Sequence, residues 1–150
     1  MPDRHGPLRT SRFKLELDDV TVEGFQRVEI PSQTTQQVEY REGTDPGHHK
    51  KLWGRTQYED LTMERGVKAD DMVLYDWRKQ VTEGNLEEAR KNIAIILLDE
   101  MGESQIRWEF TKAWPKKYTP PTLEADAGGG QGNVATETVV VTYDEMKRTE

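Results

Sequence analysis

From Phe13 onward, apolar and charged residues alternate along the chain. In "RFKLELDDVTV", Phe13, Leu15 and Leu17 are separated by Lys14 and Glu16, a period of two that predicts a half-buried strand. A turn at Asp18-Asp19 leads to a short strand with Val20 and Val22. "GFQRVEIPS" carries Phe25, Val28 and Ile30 at uneven spacing, which predicts an irregular segment ended by Pro31. Alternation resumes through Val38 and Tyr40 and returns in "YEDLTMERG" at Leu61 and Met63. Between them lies an extended loop at about 43–55, opening on "DPGHHKK". One segment has helical spacing: Val73, Leu74, Trp77 and Val81 share a face. Asp70 is its candidate N-cap, Asp71 and Lys79 suit the two poles of its dipole, and Gly84 stands where a C′ glycine would.

The second half reads as further strands. "NIAIILLDE" is apolar on both faces, as in a central strand. After the turn "EMGES", "QIRWEFTKAW" puts Ile106, Trp108 and Phe110 on one face and Arg107, Glu109 and Thr111 on the other. Lys112 and Trp114 continue that phase less cleanly. "VATETVVVTYDEMKR" is rich in β-branched residues and closes the series. Seven or eight strands and one helix predict a mainly β fold: an antiparallel β-barrel or sandwich of two sheets with one flanking α-helix. Residues 1–11 read as a flexible N-terminal arm and 12–150 as a single β domain.

Composition narrows the function. With 28 acidic against 21 basic residues the net charge is -7, the opposite of a nucleic-acid footprint. There is no cysteine, hence no thiolate nucleophile, disulfide or Cys-type zinc site. With no apolar leader and a longest apolar run of only Ile93 to Leu98, the chain is expected to be cytoplasmic when synthesised, with no membrane insertion of its own. His48 and His49 are adjacent and so point to opposite sides of an extended chain. The third histidine, His5, is far off in the N-terminal arm, so no catalytic or metal site and no cofactor is expected. "GGGQGN" lacks the Lys-Ser/Thr and the following helix of a phosphate loop. Trp77 and Trp108 fall in apolar phases and read as core, leaving Trp53 and Trp114 open.

Several segments taken in order carry more information. "FKLELDDVTVEGFQRVE", "KLWGRTQYEDLTMERGV", "LYDWRKQV", "IAIILLDEMGESQIRWEFTKAWPKKYTPPTL" and "ATETVVVTYDEMKR" resemble the tail-tube (inner-tube) protein of contractile-tailed phages and phage-like contractile injection systems, over residues 13 to 148. The haemolysin-coregulated protein of type VI secretion is a more distant relative. The resemblance implies a tail-tube fold and a structural role: hexameric rings stacked into a hollow tube inside a contractile sheath. Its partners would be copies of itself, the sheath protein, and baseplate or hub and tube-terminating proteins. Cargo or DNA would pass through the lumen without specific binding, and the chain would end up in an assembled phage tail or injection particle. By the same resemblance the excursion holding Asp45, His48, His49, Lys50, Lys51, Trp53 and Arg55 becomes a contact between subunits or rings. Arg107, Glu109 and Thr111 would face the lumen or the sheath. Two departures fall in loops: Trp53 in "KLWG" replaces a usual proline, and "AGGGQGN" is longer than usual. The alternatives are a tube-initiating or baseplate paralogue that forms one ring, a monomeric ligand-binding β-barrel, and an enzyme without a catalytic constellation.

Overall fold

The computed structural model describes residues 8, 12–40, 50–125 and 134–149. Among them are ten strands: β1 (Phe13–Leu17), β2 (Val20–Val22), β3 (Phe25–Glu29), β4 (Gln33–Tyr40), β5 (Lys50–Tyr58), β6 (Leu61–Gly66), β7 (Lys91–Leu98), β8 (Ser104–Thr119), β9 (Thr136–Thr142) and β10 (Glu145–Arg148). Two helices, α1 (Val73–Thr82) and the single-turn α2 (Leu86–Ala89), lie between β6 and β7. The antiparallel main sheet runs β2-β1-β7-β8-β9-β6-β3, with β10 added beside β8, and β4 and β5 form a second sheet of their own.

Local chemistry explains the chain reversals. Asp18 and Asp19 both take positive φ, 49° and 66°, the twist a two-residue hairpin needs between Leu17 and its partner Val20. β3 is a regular strand, contrary to the irregular segment expected from its spacing. A bulge between Phe25 and Arg27 in its pairing with β6 breaks the period of two without breaking the ladder. At α1 the N-cap position is Met72, not the expected Asp70, and carries no side-chain cap; the Asp71 carboxylate just before it accepts a hydrogen bond from the Val73 amide at 3.1 Å. Gly84, with φ of 82°, follows the last turn as expected.

The strand β8 is 16 residues long and joins the two halves of the sheet. Its first part pairs with β7 and β10, its last part with β9. The junction is Lys112, whose φ of 51° is left-handed. A residue inserted in that conformation shifts the inward phase, from Phe110 to Ala113 and Pro115, which is why alternation falters there. A single cluster of buried side chains joins Leu15, Leu61, Met63, Leu74, Trp77, Phe110 and the β9 valines. The Trp77 indole N–H donates to the Ala89 carbonyl at 2.6 Å, tying α1 to α2. Trp108 packs against this cluster, as its phase predicts, whereas Trp53 is exposed.

A candidate assembly surface

The sequences "QTTQQVEY" and "KKLWGRTQY" carry polar residues in both phases, so neither strand has an apolar face that would dock on a core. They pair with each other instead. Residues 50–55, expected as loop, are the first two thirds of β5, because ladder hydrogen bonds to β4 hold them without any inward alternation. Lys50, Lys51, Trp53 and Arg55 therefore lie on a strand, while Asp45, His48 and His49 lie outside the described residues.

The pairing assigns faces. Val38 stands opposite Leu52; Gln37 opposite Trp53 and Glu39 opposite Lys51 share the other face. Trp53 is 88% exposed, Leu52 54% and Val38 48%. Gly54 leaves little room here: a Cβ would sit 3.0 Å from the Val38 Cγ2 and 3.3 Å from the Gln36 carbonyl. The Thr35 and Thr56 hydroxyls meet across the strands at 3.0 Å.

The base of this two-stranded arm is anchored. The Glu59 amide donates to the Ser32 carbonyl at 3.0 Å, and the Tyr143 hydroxyl donates to the Glu59 carbonyl at 2.7 Å. Tyr143 stacks edge-on against Phe110 and tilts against Tyr58, so it joins the arm to the core. Burial first, and the nearby Asp60 carboxylate second, push its hydroxyl pKa up to about 12. Lys116 pairs with Asp60 at 2.6 Å beside it.

At the other end of β3 and β6, where the Gly66 amide bonds the Gly24 carbonyl, a groove of about 330 Å³ opens between β2 and the start of α1. Leu17, Val20, Val22 and Val73 give it an apolar lining, with Glu23, Lys68 and Asp71 among its polar residues.

Beneath that groove lies a constellation missed from the sequence. Arg65 is 1% exposed and stands directly opposite Glu137 in the β6–β9 ladder, its Nε 3.0 Å from the Glu137 carboxylate. Glu137 also accepts from the Tyr118 hydroxyl at 2.5 Å. The same guanidinium lies 2.8 Å from Asp71, so it joins the sheet to the N-terminus of α1. The ion pair with Arg65 is the main cause that lowers the Asp71 pKa below the usual carboxylate range. Burial, and then Glu137, push Tyr118 up to about 12. The signal was present in the chain: Arg65 continues the inward phase of Leu61 and Met63, and Glu137 that of Val139 and Val141.

The polar face of β8 is where its alternation puts it. Arg107 sits 2.7 Å from Glu109 and 3.6 Å from Glu16 on β1. By register these groups share a face with Ala94 and Ile96, both buried though outside the core cluster, so the charged side chains shield the second apolar face of β7. Thr111, with Arg107, Glu109, Glu16 and Ala94, lines a cavity of about 150 Å³ on this face. Among the described residues no three metal-ligating side chains come together. No helix among the described residues is long and apolar enough to cross a membrane.

Residues 9–147 match the family model described as T4-like virus tail tube protein gp19. Among solved structures, the chain is similar to one in the anti-feeding prophage tube terminating cap, at 26% identity and a TM-score of 0.83, covering 98% of this chain and 93% of that one. It is similar to a chain of the PVC sheath-tube complex of an extracellular contractile injection system, in the extended state, at 23% identity and TM-score 0.81, covering 97% and 93%. The fold likeness extends to Hcp1 from Flavobacterium johnsoniae, at 14% identity and TM-score 0.62, covering 92% and 94%. Among curated proteins none matches significantly.

Proposed function

The chain belongs to the family of T4-like virus tail tube proteins, and from that premise we propose that it is the repeating subunit of an inner tube. Members of this family are structural, so the protein is not an enzyme but a component of a phage-type tail or contractile injection system. In the proposed assembly, copies close into six-membered rings, the rings stack inside a contractile sheath, and the tube conducts cargo or DNA. Baseplate and terminator proteins would cap its two ends.

The observation that carries this reading is the β4–β5 arm. A two-stranded sheet alone in water is marginal at best, and this one is exposed on both faces with a nearly free tryptophan. Among the described residues no third strand pairs with it, a neighbour that a stack of copies would supply. The arm extends from one end of β3–β6, so the contact it makes is head-to-tail, and a head-to-tail contact that does not close gives an open filament. In the same frame Arg107, Glu109 and Thr111 line either the lumen or the sheath side, since that face carries charge and no apolar patch.

A second reading has support of its own. The likeness to a chain in a tube terminating cap fits a protein that forms one ring at a tube end. Negative-stain electron microscopy of the purified protein separates the two: hollow, striated tubes are expected of the repeating subunit, single rings of a terminator. Reversing the charge of Lys50 and Lys51 is expected to leave the fold intact and stop tube growth. Normal tubes from that variant would rule out the arm as the stacking contact.

A further inference from the structure

We propose that the β4–β5 arm of one copy seats in the groove between β2 and the start of α1 on a second copy. The proposal rests on the tube reading above and adds which surface receives the arm.

Position comes first. β3 and β6 are paired from Phe25–Arg65 at one end to Glu29–Thr62 at the other. Past the second end the chain runs through Ser32 and Glu59 into the arm; past the first it runs through Glu23 and Val67 into the groove. Donor and acceptor thus lie beyond opposite ends of one strand pair, ends that are about 14 Å apart at the usual rise of a strand. A translation along those strands brings the arm of one copy toward the groove of the next, and the operation repeats without closing.

The surfaces also match in chemistry. The arm offers Val38 and Leu52 on one face and Trp53 on the other, while the groove offers Val20, which is 64% exposed, with Val22 and Val73. Lys51 and Arg55 are exposed on the arm, and Glu23 is the exposed acid that lines the groove. Lys68 is the only basic residue among the described ones lining it. Asp71, at its floor, shares the Arg65 guanidinium with Glu137, so one cation faces two carboxylates there, and Glu23 adds a further acid for the arm to meet. β2 is moreover the terminal strand of the main sheet, only three residues long, with no described strand on its outer side.

The absence of cysteine makes the test direct. L52C and V20C are made as separate chains, both at exposed positions, and mixed before assembly. The assembled fraction is treated with a short bis-maleimide that tolerates several ångströms of register, then denatured on a gel. Covalent dimers are expected from the mixture and from neither variant alone. Tubes that give no mixed dimer, or dimers from L52C alone, overturn the inference and leave the tube reading standing. Failure of the unmodified protein to form rings or tubes overturns both. A second measurement uses charge. K51E/R55E is expected to raise the concentration needed for tubes about tenfold or more. Mixed with E23K chains, it is expected to regain assembly; no recovery counts against the groove as acceptor.

Discussion

The body of the molecule and its arm solve the same problem in opposite ways. Both are antiparallel β structure, but the body buries one face of every central strand. Even its misfit charges, Arg65 and Glu137, are paired with each other and with Asp71 and Tyr118. The arm buries neither face. Its strands are held by the ladder, by the Thr35–Thr56 hydroxyl pair and by the anchor at Tyr143, and its apolar side chains point at solvent. The body's stability is thus intrinsic to the chain, while the arm's depends on company. Local opening free energies should differ accordingly, low at the arm and rising to the global value in the body.

The largest effect that would sharpen the contrast is in the body. R65A removes one member of a buried ion network and strands Glu137 without its cation; the expected cost is about 3–5 kcal/mol, read by chemical denaturation. A loss under about 1 kcal/mol would mean that the network is solvated and that body and arm differ less than their geometry says. The counterpart in the arm is G54A. Its Cβ would press on Val38 at 3.0 Å, so amide protection along β4 and β5 should fall by about 1 kcal/mol. The global midpoint should stay within about 0.5 kcal/mol. If the midpoint falls with the arm, the two regions unfold together and the division is wrong.

Acid and alkali act on the body through the same network. Asp71 has its folded pKa below the unfolded one, so its contribution is present above the unfolded value and is lost as pH falls through the folded value. Tyr118 has its folded pKa raised to about 12, against about 10 when unfolded. Its contribution is complete below pH about 10 and disappears as pH rises toward about 12. D71N should therefore flatten the acid limb of a stability profile and Y118F part of the alkaline limb; Tyr143, raised to about 12 by its own burial, keeps the remainder. Unchanged limbs in both variants would sever these groups from the stability they are assigned.

How much of this was legible in the chain depended on whether local pattern or long-range pairing decided each element. The strands of Leu15, Leu61, Phe110 and Val139, and the helix of Leu74 and Trp77, were readable because burial imposes a period. β5 was not. A strand exposed on both faces has no reason to alternate, and Gly54 and the paired lysines at its start read as loop. β3 was obscured by its bulge. For the candidate contact residues the sequence suggested a loop where residues 50–55 form a strand, and it gave no hint of the groove, which exists only once Val20 and Val73 are brought together. The Arg65–Glu137 pair was legible in principle, as opposite charges in two apolar phases. Nothing local said that those two phases face each other.

The smallest effect concerns the place where the body itself departs from pattern. Lys112 is the one non-glycine residue with left-handed backbone that is not in a hairpin turn among the described residues. A left-handed conformation costs an ordinary residue about 1–2 kcal/mol, and glycine would avoid that at an entropic cost of about 0.5–1 kcal/mol. K112G is therefore expected to gain about 0.5 kcal/mol, the difference of those two costs. K112V should lose about 1 kcal/mol or more, because a branched Cβ fits that region worst. Thermal midpoints of the two variants decide. A gain for glycine and a loss for valine would show that β8 is kinked by the demands of the fold, as it hands its pairing from β7 and β10 to β9. Equal losses would instead assign Lys112 a stabilising role through its side chain, and the body would then hold a contact of the arm's kind, one its own neighbours do not explain.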